Sequence, residues 1–534
     1  MRHKPVIRRS MTNSKLVILT AFFLVLFGNI SFFKKVADVY AVSPGNIAFV
    51  GSLVVVLTSV IVLLLTLLTV KYTIKPVLIL ILLVSSLASY FMDSYSVVID
   101  HTMIQNIMLT DVGESMDLIS VKLIVYFLLL GVLPSLFVYK VTIENRSLKT
   151  ELASKLKVIV VSLLVVASLI LVFGRFYASF FREHKPLRYY TNPTYYVYSV
   201  GEYVSEMFKR DGVVLRAIGL DAEVPPTDVD RELIILVVGE SARADRFSLN
   251  GYTRVTNPLL QREDIISFSN IWSCGTSTGV SVPCMFSVFG RAKYSDEKSK
   301  STENLLDVLR QADIHVLWRD NNSDSKGVAL RVVYEDFKSP KNNLVCDIEC
   351  RDEGMLNGLQ EYISGQERGD ILIVLHQMGN HGPAYYKRYP KFFERFTPVC
   401  KTNQLEKCTR EEIGNAYDNA ILYTDYFLSK VIRLLKNNSR RFEAAMIYMS
   451  DHGESLGENG VYLHGLPYWM APDAQKHVGT VMWFGDGFAI DEEALRAKSA
   501  NEYSHDYLFH TILGLMEVET SVYDKKKDIV NYDK

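Results

Sequence analysis

Acids and histidines recur just beyond short apolar runs of this sequence. Glu240 follows ELIILVV (232–238), and His376 and His381 follow ILIVL (371–375). Asp451, His452, Glu454 and His464 follow AAMIYMS (444–450), while Arg319, Asp320, Asn321 and Asn322 follow HVLW (315–318). One such residue is a cap or a solvated group. Four chain segments ending in Glu, His and Asp-His together read as a metal site, because carboxylate oxygens with an imidazole nitrogen suit zinc or a similar divalent ion. Asp451-His452 is the strongest single piece.

A second segment, SCGTSTGVSVPC (273–284), is crowded with small residues and hydroxyls between two cysteines. A hydroxyl beside a divalent ion gives up its proton more easily and becomes a nucleophile. Spacing leaves Thr276, Ser277, Thr278 and Ser281 all open for that role, and a disulfide-tied turn is the bland alternative.

The runs that carry these residues have strand length and are apolar throughout. Such strands are buried on both faces, which predicts a mostly parallel sheet flanked by helices, with the site at the carboxyl ends of the strands. Six cysteines, all beyond residue 273, fit disulfides in an oxidising compartment. Their spacing suggests the pairs 274–284, 346–350 and 400–408.

The first third of the chain is different. The net charge of -1 over 534 residues conceals 16 Lys+Arg against 8 Asp+Glu in residues 1–175, a net of +8, and a net of -9 beyond. Five apolar stretches, 16–33, 47–70, 76–92, 121–139 and 158–173, approach the roughly 20 residues needed to cross a bilayer. Arg2, Lys4, Arg8, Arg9 and Lys15 precede the first, and Lys and Arg recur in the second and fourth connections but not in the third, 93–120. That bias puts the amino terminus in the cytoplasm and everything after the fifth span outside. The expected domains are a five-helix transmembrane domain (1–175), an aromatic-rich interfacial linker (176–229) and an exported α/β catalytic domain (230–534). No basic block suggests nucleic acid as a partner.

Five segments taken in order carry a family resemblance: VVGESARADRFSLNGYTRVTNPLL (237–260), SCGTSTGVSVPCMFS (273–287), WRDNNSDSKGV (318–328), HQMGNHGPAYYKRYP (376–390) and SDHGESLGENGVYLHG (450–465). The chain resembles the lipid A phosphoethanolamine transferases, including the mobile colistin-resistance enzymes, over nearly its whole length. The resemblance implies an alkaline-phosphatase-like outer domain in the periplasm, on five spans in a Gram-negative inner membrane. It implies Thr278 as nucleophile, with zinc bound by Glu240, Asp451, His452 and the Thr278 oxygen. It puts His381 and His464 at the transferred phosphate or at a second zinc, and Asn322 and Lys326 at the substrate phosphate. His376 is expected to be structural. Asn106, Thr110 and Glu114, spaced i, i+4, i+8, would share one helix face and contact the ethanolamine phosphate from the membrane side.

The reaction so implied takes phosphoethanolamine from phosphatidylethanolamine to lipid A by way of Thr278, in a monomer. Transfer of phosphoethanolamine or phosphoglycerol to another envelope acceptor, a plain phosphatase or sulfatase, and a non-catalytic membrane scaffold are the alternatives. Glu114, offering a charge to an ammonium, favours the ethanolamine head group.

Overall fold

The computed structural model describes residues 10–41, 43–44, 46–110, 112–209, 215–488 and 490–531, with backbone alone for 109, 112–114 and 206–209. Arg2, Lys4, Arg8 and Arg9, on which the orientation partly rests, lie outside the described residues. The chain forms two compact units. One is Met1–Ile104 with Ile119–Ser205, and the other is Gln105–Leu118 with Glu206–Lys534.

Among the described residues of the first unit, four helices are long and apolar enough to cross a membrane: Ile47–Leu68, Ile74–Tyr95, Val121–Lys140 and Leu148–Val172. The first expected span, 16–33, is not one straight helix. Asn13–Gly28 and Ile30–Val39 meet at a bend of 60°. The cause is Asn29, whose side chain works outside the helix ladder. Its Nδ2 donates to the carbonyls of Leu24 (2.9 Å) and Asn192 (2.6 Å), and its Oδ1 accepts from the Asn192 N–H (2.9 Å). The 158–173 stretch belongs to a helix that begins ten residues earlier, capped by Ser147, whose hydroxyl accepts the Thr150 N–H. Residues 176–209, expected as a linker, are largely helical: Gly174–Arg182, Lys185–Tyr190 and Thr194–Lys209.

The second unit is built on an eight-stranded sheet. Its strands are β1 (Glu232–Gly239), β2 (Ile265–Trp272), β3 (His315–Asp320), β4 (Val333–Asp336), β5 (Ile371–His376), β6 (Glu443–Ser450), β7 (His477–Phe484) and β8 (Tyr503–Ser504), in the order β8-β2-β7-β6-β1-β5-β3-β4. From β6 to β4 all neighbours are parallel, and β7 runs antiparallel to both β6 and β2. Every residue of β1 is buried. Its side chains alternate as strand geometry requires. Ile234, Leu236 and Val238 join a core with the helices Leu305–Gln311 and Leu508–Leu515. Leu233, Ile235 and Val237 join another core beneath the 29-residue helix Arg410–Asn438. Each fully buried Leu, Ile or Val contributes roughly 1.5–3 kcal/mol, so the central strand is fixed from both sides and its end is a rigid place for chemistry. The long helix starts at a capping box, with the Thr409 hydroxyl accepting the Glu412 N–H and the Glu412 carboxylate accepting the Thr409 N–H. Disulfides join Cys274 to Cys284, Cys346 to Cys350 and Cys400 to Cys408, the pairs that spacing suggests.

The turn after β6 is fitted closely around Gly453. A Cβ there would lie 2.1 Å from the Ala474 carbonyl oxygen, a backbone atom that cannot swing away. Gly453→Ala is therefore expected to displace the adjoining His452, to cost about 1–3 kcal/mol of stability, and to lower turnover at least tenfold. Thermal unfolding and an activity assay on the same preparation check both effects.

Candidate active site and metal centre

The carboxyl ends of β1 and β6 lie side by side, with Gly239 opposite Ser450. The residues just past them, Glu240 on one side and Asp451 and His452 on the other, are thereby brought together. All three are fully buried. The hydroxyl-rich segment supplies Thr278, the first residue of the helix Thr278–Met285, with Ser277 at the cap position. Thr278 Oγ1 donates to Glu240 Oε2 (3.0 Å) and lies 3.3 Å from His452 Nε2.

This geometry narrows the four hydroxyls. Thr276 Oγ1 donates to the Leu466 carbonyl (2.6 Å), and Ser281 Oγ accepts the Gly275 N–H (2.9 Å), so both shape the loop. Ser277 and Thr278 line the cleft. Of the four, Thr278 is the one in contact with Glu240 and His452. At the start of a helix it sits where the backbone dipole favours an anion.

His452 shows what the cluster needs. Its Nδ1 faces the Gly453 carbonyl at 2.9 Å, an atom that can only accept. The hydrogen of the neutral ring is therefore on Nδ1, and Nε2 carries a lone pair. That lone pair looks at Thr278 Oγ1 (3.3 Å), Asp451 Oδ2 (3.3 Å) and Glu240 Oε1 (3.4 Å). Asp451 Oδ1 accepts from the N–H groups of Ser241 and His452, whereas no donor reaches the buried Oδ2. Electron-rich atoms facing one another inside a protein are costly unless a cation lies among them. One nitrogen and three oxygens form the kind of donor set that zinc takes. A ligand atom of His464 also lies within 4.8 Å of those of Glu240 and His452. The residues present thus fit a divalent metal.

Protonation follows the same crowding. Burial opposes the Glu240 charge, but His452, His381 and His464 outweigh it and hold this carboxyl below the usual range. Burial, and then Glu240, push the Asp451 carboxyl well above its ordinary value. Burial, and then His464, lower His452 to about 4. Burial opposes a charge on His464 too, but its partner Glu454, 3.0 Å from Nδ1, prevails and raises it to about 9.

The neighbouring cleft, about 60 Å³, is lined by Asn106, Thr110, Ser323, Lys326, His381 and His464 as well as Ser277 and Thr278. That is room for about four waters. Asn106 and Thr110 come from Gln105–Leu118, the piece of the third connection that belongs to this unit. Gln105 Nε2 donates to Asp296 Oδ1 (3.1 Å), and the other end is held by Asp117, which pairs with Lys387 and with Arg388 (2.8 Å). The single helix that spacing predicted for Asn106, Thr110 and Glu114 is broken. His101–Leu109 and Val112–Asp117 are separate helices, and Thr110, between them, turns its hydroxyl onto the Asn106 carbonyl (2.7 Å). Thr110 is a weak helix former, and the break falls there. The side chain of Glu114 lies outside the described residues. Lys326 Nζ donates to Ser323 Oγ at 2.6 Å. Asn322 is fully buried, with Nδ2 donating to Glu240 Oε2 (2.9 Å) and to the Gln377 carbonyl (2.7 Å), so its side chain orients the carboxylate. His376 donates through Nδ1 to Asp320 Oδ2 (2.9 Å) beneath the site.

Sequence reasoning passed over the bracing residues. Asp352 accepts from Asn321, Met378 and Gly379 and fixes the loop that leads to His381. Ser241 donates to Glu240 Oε1 at 2.6 Å. No spacing signal could have found Asp352, because its partners join it only in the folded chain.

A sulfatase family model matches residues 232–518, and a model described as phosphoethanolamine transferase EptA/EptB matches residues 57–208. The chain is 44% identical to the phosphatidylethanolamine transferase Mcr-1 of Escherichia coli, over 99% of each protein. It is 40% identical to the phosphoethanolamine transferase EptA of Escherichia coli strain K12, over 96% of each. Among solved structures, the integral membrane lipooligosaccharide phosphoethanolamine transferase A from Neisseria meningitidis superposes with a TM-score of 0.94 at 36% identity, covering 98% of this chain and 99% of that one.

Asp451→Asn removes one donor oxygen from the set that faces His452 Nε2. After stripping with a chelator, added zinc is expected to raise the thermal unfolding temperature of the unaltered chain by several degrees and that of the variant by much less.

Proposed function

The chain belongs to the EptA/EptB phosphoethanolamine transferase family, and from that premise we propose that it moves phosphoethanolamine from phosphatidylethanolamine to a phosphate of lipid A, with Thr278 as the covalent carrier. The observation that carries this reading is the position of Thr278 Oγ1, between Glu240 Oε2 and His452 Nε2 and open to a cleft lined by Lys326, His381 and His464.

Glu240, Asp451, His452 and Thr278 would hold a zinc ion, which when bound polarises phosphoryl oxygens and lowers the proton affinity of a neighbouring hydroxyl. The residues do the rest. Thr278 Oγ1 forms a bond to phosphorus as the bond to the diacylglycerol oxygen breaks, and the threonine proton ends on the departing alcohol. Lys326 and the protonated His464 offset the charge that spreads over the phosphoryl oxygens. A lipid A phosphate oxygen then attacks the same phosphorus, and Thr278 regains a proton. Asn106 and Thr110 offer polar contacts to the ethanolamine phosphate, with Glu114 for the ammonium. Asn322 and Ser241 keep Glu240 in its orientation throughout.

The setting fits lipid substrates on both sides of the reaction. Residues 1–175 would form the multi-pass anchor in the inner membrane, 176–229 the linker at its outer surface, and 230–534 the periplasmic domain that carries the transfer. The disulfides accord with an oxidising compartment. Each transfer adds an ammonium to the outer surface, which reduces its attraction for cationic peptides such as polymyxin.

Lipid A mass spectrometry in cells expressing the chain is expected to show the mass of added phosphoethanolamine. Thr278→Ala, present at the same level in the membrane, is expected to show none. Absence of the addition in wild-type cells refutes the acceptor, and its persistence in the variant refutes the carrier.

A further inference from the structure

The sheet has an opposite end, and charge gathers there too. Eight residues before Glu240, and roughly 26 Å away by strand rise, β1 opens with Glu232. Asp228, from the lead-in to the strand, and Glu517, from the turn after the helix Leu508–Leu515, converge on it. One oxygen from each of the three carboxylates lies within 4.8 Å of the others. A fourth acid, Asp370, accepts the Glu232 N–H at 3.1 Å. Glu232 is 0% exposed, and no donor reaches either of its carboxylate oxygens. The adjoining Arg231 directs its guanidinium elsewhere, to the carbonyls of Gln366, Glu367 and Gly369 and over the Phe442 ring. Beside the cluster opens a cleft of about 480 Å³, whose lining includes Asp228, Glu517, Glu519 and Tyr523.

We propose that Asp228, Glu232 and Glu517 form a divalent-cation site, separate from the one at Glu240 and selective for a hard, oxygen-seeking ion of the calcium type. All the donors are carboxylate oxygens, without the imidazole or thiolate that would draw zinc. The open cleft leaves positions for water, as calcium sites commonly do. The buried Glu232, whose carboxylate no N–H donor reaches and whose side-chain neighbours are other carboxyls, distinguishes the cluster from a solvated acidic surface. An ion there ties three distant segments together: the approach to the catalytic unit, its central strand, and the turn near its carboxyl terminus. The segments are already adjacent, since Glu223 and Glu519 exchange backbone hydrogen bonds. The competing arrangement is a shared proton. Burial first, and then Asp370, Asp228 and Glu517, push the Glu232 carboxyl up to about 9, and a cluster neutralised in that way has no response to cations.

The site stands apart from the proposed reaction, and a separate experiment tests it. The full chain in detergent is stripped with a chelator, given one equivalent of zinc, and titrated with terbium, whose luminescence Tyr523 would sensitise, and then with calcium as competitor. For the wild type and for Thr278→Ala, calcium is expected to quench the terbium signal and to raise the unfolding temperature by several degrees. Glu232→Gln and Asp228→Asn are expected to weaken calcium at least tenfold with phosphoethanolamine transfer retained. The half-buried Asp228 serves as the variant least able to disturb folding. The site is refuted if calcium changes neither signal in the wild type, or if it acts equally on the wild type and both variants.

Discussion

The second unit turns on one requirement: the lone pair of His452 Nε2 faces three oxygens in a dry interior. Its Nδ1 is committed to the Gly453 carbonyl, so the ring cannot turn a hydrogen toward Glu240 or Asp451 without losing that bond. A positive charge among them, a proton or a metal ion, relieves the arrangement. The donor set fits a divalent metal, which would meet that requirement. Burial at this site is therefore part of its function, because charge interactions strengthen as water is excluded.

Much of the fold serves to hold those atoms in place. β1 and β6 are neighbours over their whole length, so Glu240 and Asp451 emerge together. The β1 side chains enter two cores, one on each face, which denies the strand any freedom to slide. The disulfide between Cys274 and Cys284 closes the loop that presents Thr278. Asn322 and Ser241 hold Glu240 from two sides. A second set of contacts, Gln105 with Asp296 and Asp117 with Arg388, keeps Asn106 and Thr110 at the cleft.

The most legible features in the sequence were those written in local pattern. Continuous apolar runs marked β1, β3, β5 and β6, and the polar residues behind them marked the site. β2 and β7 were not seen, because IISFSNIW and HVGTVMWF mix polar residues into their runs. The bend at Asn29 was hidden by the apolar residues around it, and its cause lies 163 positions away at Asn192. Among the four hydroxyls, spacing left the choice open and the family resemblance pointed to Thr278; the fold ties up Thr276 and Ser281 in loop contacts and brings Thr278, not Ser277, against Glu240 and His452. The interruption after Leu109 was partly legible in Thr110, but the i, i+4, i+8 spacing outweighed it.

X-ray absorption at the zinc edge, on the whole chain and on His452→Ala, tests most directly whether a metal resolves the facing lone pairs. An oxygen-rich shell with imidazole is expected in the unaltered chain, with imidazole scattering reduced or zinc lost in the variant. A shell that His452→Ala leaves unchanged, or one dominated by sulfur, would contradict a metal centre at Glu240, Asp451, His452 and Thr278.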